Sequence, residues 1–220
     1  MRYCLFRHLA AGATLAAAAF AQESALAGRM EGDNYVSPTG EFKVPTLVLP
    51  ELGGTVTDTE NVVTFSDSFN THISVACFPL DATQKWELET SERRDYLLAF
   101  FSNFVLPDFQ ARFPGSKIES ARYLPDLLQG ALITFALLPG GSYFETKDRV
   151  GNDTPVTAKR GNLLFVRNRH IYVLSIELVE RATQRSTYKQ TVEQEDKLLT
   201  ERLTALAARL IFTNPKPHSP

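Results

Sequence analysis

A chain of 220 residues with a formal net charge of −2 and two cysteines holds enough material for one well-buried domain. It lacks the basic surplus that nucleic acid or anionic lipid demands. Neither partner is expected.

The first residues read as a leader, not as fold. Arg2 and Arg7 make a positive start, Leu9–Phe20 is a short alanine-rich apolar run, and two small-residue patterns follow, Ala19-Phe20-Ala21 and Ala25-Leu26-Ala27. This is the layout of a secretory signal peptide over residues 1–27, with cleavage after Ala21 or Ala27. The run is too short to span a bilayer, and no second long apolar run follows. Cys4 precedes the run, so no lipid anchor and no transmembrane segment are expected. Cys77 is then alone, and a single thiol forms no internal disulfide. Its place in Ile73-Ser74-Val75-Ala76-Cys77-Phe78 makes it a buried structural thiol.

Tyr35–Gly40 reads as turn material, with Pro38 and Gly40 closely spaced. Glu41–Leu49 reads as a strand through Phe42, Val44, Leu47 and Leu49, and Pro45 suggests an edge or a bulge. Pro50–Asp58 is a loop with Gly53-Gly54. Asn61–Ser66 and His72–Phe78 are strands, joined by Asp67-Ser68-Phe69-Asn70 as a hairpin loop. Asp81–Thr90 is open between a short helix capped by Asp81 and an extended connection.

From Ser91 the period changes. Leu97, Phe100, Phe101 and Phe104 recur at three and four, with Ser91 as N-cap and Glu92 at the positive end of the dipole. Pro107 ends or kinks this helix, and Phe109 and Phe113 extend it by a turn. Ile118–Leu124 and Gly130–Leu138 are the next strands, with Pro125-Asp126 between them. Pro139–Arg160 is long for a connection in a compact domain, and such loops are functional, mobile or a hidden hairpin.

Leu163–Val166 and Ile171–Val179 form a hairpin around Arg167-Asn168-Arg169-His170. In the second run Tyr172, Leu174, Ile176 and Leu178 share one face, and Ile171, Val173 and Val179 share the other with Ser175 and Glu177. Apolar groups on both faces mark a central strand covered on two sides. Thr187–Leu210 is the second long helix, striped by Tyr188, Val192, Leu199, Leu203, Leu206 and Leu210. The order is strands, a helix, four strands, a helix. It describes an α+β domain over residues 28–213: a mostly antiparallel sheet flanked by two helices, with residues 214–220 as a flexible tail.

Three pieces carry a resemblance. Ser37-Pro38-Thr39-Gly40-Glu41-Phe42-Lys43-Val44-Pro45 resembles the opening of PsbP-like domains. Arg167-Asn168-Arg169-His170-Ile171-Tyr172-Val173-Leu174 is similar to their penultimate hairpin. The closing helix with Leu210-Ile211-Phe212 is similar to their terminal helix. Arg169 departs from the usual turn glycine, which leaves Asn168 to supply any positive φ. Leu52-Gly53-Gly54 stands where many relatives have a Gly-Trp pair. The resemblance, to the Mog1/PsbP-like fold group, implies an α/β/α sandwich and a non-catalytic, partner-binding habit.

The motifs of chemistry are missing. His72, His170 and His218 are unpaired at metal-ligand spacing, and no Cys–His cluster occurs. His170 and His218 read as plain exposed histidines, and His72 as a half-buried structural one. Gly140-Gly141-Ser142 lacks the frame of a nucleophile elbow, and no phosphate loop occurs. Glu145, Asp148 and Asp153 read as a solvated acidic loop and not as a calcium site. No catalytic, cofactor or metal residue is assigned. Two readings follow. One is an exported, non-enzymatic accessory or binding protein of the periplasm, which meets another envelope protein through Pro139–Arg160 with Tyr143 and Phe144. The other is an exported hydrolase whose acid/base pair joins His72 to a distant carboxylate.

Overall fold

The computed structural model describes residues 26–144, 156–184 and 187–213. The residues before Leu26, which carry most of the expected leader, the acidic residues Glu145, Asp148 and Asp153, His218 and the rest of the expected tail lie outside the described residues.

The described residues open with three short strands, β1 (Arg29–Glu31), β2 (Asn34–Val36) and β3 (Phe42–Pro45). The strands β4 (Thr55–Asp58), β5 (Val62–Ser66) and β6 (His72–Pro79) follow. Three helices come next, α1 (Ala82–Thr90), α2 (Arg93–Phe100) and α3 (Leu106–Arg112). Then come β7 (Lys117–Leu124), β8 (Ala131–Pro139), β9 (Thr157–Arg167) and β10 (His170–Glu177). The one-turn helix α4 (Glu180–Thr183), the long α5 (Val192–Arg209) and β11 (Ile211–Phe212) close the chain.

Seven strands make the main sheet in the order β4-β5-β6-β10-β9-β8-β7, and every pairing in it is antiparallel. β10 is the central strand, as its two apolar faces require. On one face Tyr172, Leu174 and Ile176 join a core closed by Leu199, Leu203, Leu206 and Leu210 at the end of the chain. On the other, Ile171 and Val173 join Tyr96, Leu97, Phe100 and Phe101. The two helical layers therefore cover opposite faces, and the α+β sandwich stands.

Several local readings need correcting. Tyr35-Val36 is not turn material: it forms part of β2, and Tyr35 is buried. β2 belongs to a small sheet, β1-β2-β3-β11, which adds a second layer on the α5 face. The strand from Phe42 ends at Pro45, so Leu47 lies outside it and Leu49 is exposed. The segment read as a loop over Pro50–Asp58 contains a 3-10 turn, Pro50–Leu52, and then β4. Alternating Thr55-Val56-Thr57-Asp58 pairs as an edge strand because its exposed face carries polar groups.

The first helical region breaks at Ser91 and rewinds, without stopping, ahead of Pro107. Asp81 caps α1 with a full capping box, accepting from Gln84 N–H while the Gln84 side chain accepts from Asp81 N–H. Ser91 ends α1, and Glu92 takes the N-cap position of α2. Ahead of Pro107 the backbone runs a π-turn over Phe101–Val105, with Leu106 N–H reaching Phe101 O. Proline offers no N–H to an α-ladder, and the extra residue lets the helix continue through α3. The same insertion shifts the phase of the stripe, so Phe101 is buried while Phe104 is 57% exposed.

The second helix starts later than its stripe suggested. Thr191 is the N-cap, with Gln194 completing a capping box, so Tyr188 precedes the helix and Val192 is exposed. Tyr188 instead donates to Glu195 at 2.7 Å.

Candidate functional site

The α1–α3 layer is narrower than the seven-stranded sheet. Where it stops, a cavity of about 750 Å³ opens over the β4-β5-β6 side. Its floor is Thr57, Thr64, His72 and Ser74, its far wall is Phe109, Arg112 and Phe113, and its near wall is Gly141, Ser142, Tyr143 and Arg160. The strand floor is polar because this end of the sheet lacks a helix packed directly on it.

Under the near wall sits a charged cluster built by strand register. Arg160 on β9 pairs directly with Glu177 on β10. Ser175 of β10 pairs with Ser74 of β6, which brings His72 alongside Glu177. Glu177 is buried, and both of its carboxylate oxygens are used. Ser142 Oγ donates to Oε1 at 2.7 Å, and Tyr143 N–H reaches both oxygens at 3.2 Å. His72 Nδ1 lies 3.4 Å and Arg160 Nη2 3.6 Å from Oε2. Burial pushes the Glu177 carboxyl up, but His72, Ser142, Arg160 and the Tyr143 N–H outweigh it and hold the group below the ordinary carboxylate range. Burial also depresses the Arg160 guanidinium, against the pull of Glu177. Arg160 donates as well to Gly141 O at 3.3 Å and lies over the Phe109 ring.

These bonds position one aromatic ring. Tyr143 stacks on His72 with centroids 4.6 Å apart and planes 8° from parallel, and Phe144 meets Tyr143 edge-on at 5.4 Å. Tyr143 is still 49% exposed. Its backbone is held on a buried carboxylate and its ring is held on a histidine, at the mouth of the cavity.

Of the residues singled out from sequence, His72 and Tyr143 meet here. Cys77 is buried on the other face, and burial pushes its thiol up to about 12. His170 is not the exposed tip residue expected. It opens β10 half-buried, with Nδ1 2.9 Å from Asn168 O and 3.7 Å from Glu41. Arg160, Ser142 and Glu177 had no site role assigned from the sequence. The signal was a glutamate and a serine on one face of an otherwise apolar strand, since register from the Asn168-Arg169 turn carries Glu177 opposite Arg160. Among the described residues no group of three or more His, Cys, Asp or Glu side chains is placed to hold a metal ion. Among them, too, no helix is long and apolar enough to cross a membrane.

No family model matches the chain, and no curated protein matches it. Among solved structures, the solution structure of cyanobacterial PsbP (CyanoP) from Synechocystis sp. PCC 6803 is similar at a TM-score of 0.47 and 9% identity, over 82% of this chain and 91% of that chain.

Proposed function

We propose that this is an exported accessory protein of the bacterial periplasm that binds another envelope protein and catalyses no reaction, with the cavity mouth at Tyr143 as its contact surface. One observation carries the reading: a half-exposed aromatic ring is locked in place beside a concavity. Tyrosine anchors of this kind dominate binding energy, and fixing them beforehand lowers the entropy lost on association. The leader pattern at residues 1–27 supports export, and the resemblance of the turn motifs to PsbP-like domains supports a partner-binding role. The chemistry of Glu177 argues the same way. Both of its oxygens are committed, and the Ser142 hydroxyl donates its hydrogen bond to that carboxylate and not to His72.

Tyr143→Ala is expected to weaken capture of the partner at least about 30-fold, the equivalent of about 2 kcal/mol, with the melting temperature kept. Unchanged capture by a folded Tyr143→Ala protein would refute the surface. Deleting the whole of Pro139–Arg160 is a poor test, because Thr157–Arg160 is the first part of β9.

The pairing of His72, on the cavity floor, with Glu177 buried beneath the wall favours a second reading, a hydrolase using His72 as acid or base. It requires that hydrolysis of an ester or amide substrate be lost in His72→Ala. Activity untouched by that substitution removes it.

A further inference from the structure

The segment just after the leader is built around a carboxylate. Asp58, the last residue of β4, lies on the cavity rim. Its Oδ1 accepts from Ala27 N–H at 2.9 Å, and its Oδ2 accepts from Gly28 N–H at 2.7 Å and from the Tyr35 hydroxyl at 2.7 Å. Gly28 fits only as glycine: a Cβ there would stand 2.5 Å from the Tyr35 hydroxyl and 2.5 Å from Val36 O. A bare backbone nitrogen is thus pressed against an acid, immediately after the small-residue pattern Ala25-Leu26-Ala27 and one residue before β1.

We infer that the leader is removed between Ala27 and Gly28, and that the new α-ammonium of Gly28 forms an ion pair with Asp58 that fixes the amino terminus at the cavity rim. The inference rests on the export reading and deepens it. The step is a hydrolysis by an envelope leader peptidase. Water adds to the Ala27 carbonyl carbon, the C–N bond to Gly28 breaks, Ala27 leaves as a carboxylate, and the amine takes up the proton. The nitrogen already 2.7 Å from Oδ2 gains two further N–H donors and a full positive charge. One of the new donors replaces the N–H that Ala27 took away from Oδ1. The bond that succeeds it carries charge on donor and acceptor alike, where the amide bond carried it on the carboxylate alone. Cleavage after Ala21 would leave the Gly28 nitrogen a neutral amide and Asp58 without a cation.

The full chain is expressed in a bacterium with a periplasm, and the amino-terminal residue of the recovered protein is read by intact mass. Gly28 is the result expected. Gln22 overturns the inference and leaves export standing. Recovery only as the uncut chain in the cytoplasm overturns the export reading and the inference with it. In parallel, purified chains beginning at Gly28 and at Gln22 are melted. The Gly28 chain is expected to melt about 2–4 °C higher, with the gap closing in Asp58→Asn and shrinking in high salt. Equal midpoints for the two chains, or a gap that neither Asp58→Asn nor salt reduces, would overturn the ion pair.

Discussion

Glu177 and Arg169 show what single residues cost and supply. The Glu177 carboxyl sits below its unfolded value of 4.5. Below that pH the unfolded chain takes up a proton that the native site resists. Stability is therefore full above about pH 4.5 and falls as pH drops through the folded value. Glu177→Gln is expected to flatten that acid-side decline. It should also lower stability at pH 7 by about 1–3 kcal/mol, since Arg160, half-buried beside it, loses its counter-charge. Denaturant titrations between pH 3 and 7 read both effects.

Arg169 makes the opposite case. The tight turn between β9 and β10 holds Asn168 at φ 49° and Arg169 at φ 63°. The sequence reading let Asn168 carry the positive φ alone, but a two-residue turn that matches the strand twist needs it at both positions. Arg169→Gly is expected to raise stability by about 1 kcal/mol, read as a higher urea midpoint with an unchanged slope.

At the level of elements, α5 is tied to the sheet by more than its leucines. Lys159 of β9 is fully buried and lies 2.6 Å from Glu119, 3.0 Å from Glu195 and 2.6 Å from Asp196, while Arg181 adds a second cation 3.1 Å from Glu195. Burial alone would lower the lysine's pKa, but the carboxylates of Asp196, Glu119 and Glu195 outweigh it and raise the group. Lys159→Met removes the charge that holds three acids together. It should destabilise the fold by about 3–5 kcal/mol and speed amide exchange in α5 more than in β8. The leucine stripe of this helix was legible because it repeats at helical spacing. The ion cluster was not, since Lys159 and Glu195 are 36 positions apart and meet only when the sheet and helix have packed. The π-turn before Pro107 was hidden for a related reason. Proline signals an interruption, but whether the chain stops or rewinds depends on the apolar face that Phe109 still has to bury.

Taken as a molecule, the protein is a sheet whose two faces are covered unequally. The α5 face carries a helix and a second small sheet, whereas the α1–α3 face runs out of helix over β4–β6 and leaves the cavity. The strand order was partly readable, because hairpins between neighbouring runs impose antiparallel pairing, and the apolar faces of Ile171–Val179 demanded a central place for it. The cavity was not readable, since it arises from a difference in width between layers that no single segment encodes. The central claim is that the exposed ring at this cavity mouth is where a partner docks. A photo-crosslinking amino acid placed in turn at positions 143 and 197 tests it most directly, in a bacterium with a periplasm. Lys197 is exposed on α5, across the sheet from the cavity. The account predicts an adduct with an envelope protein from position 143 and none from position 197. Adducts from 197 alone, or none from 143, would contradict it.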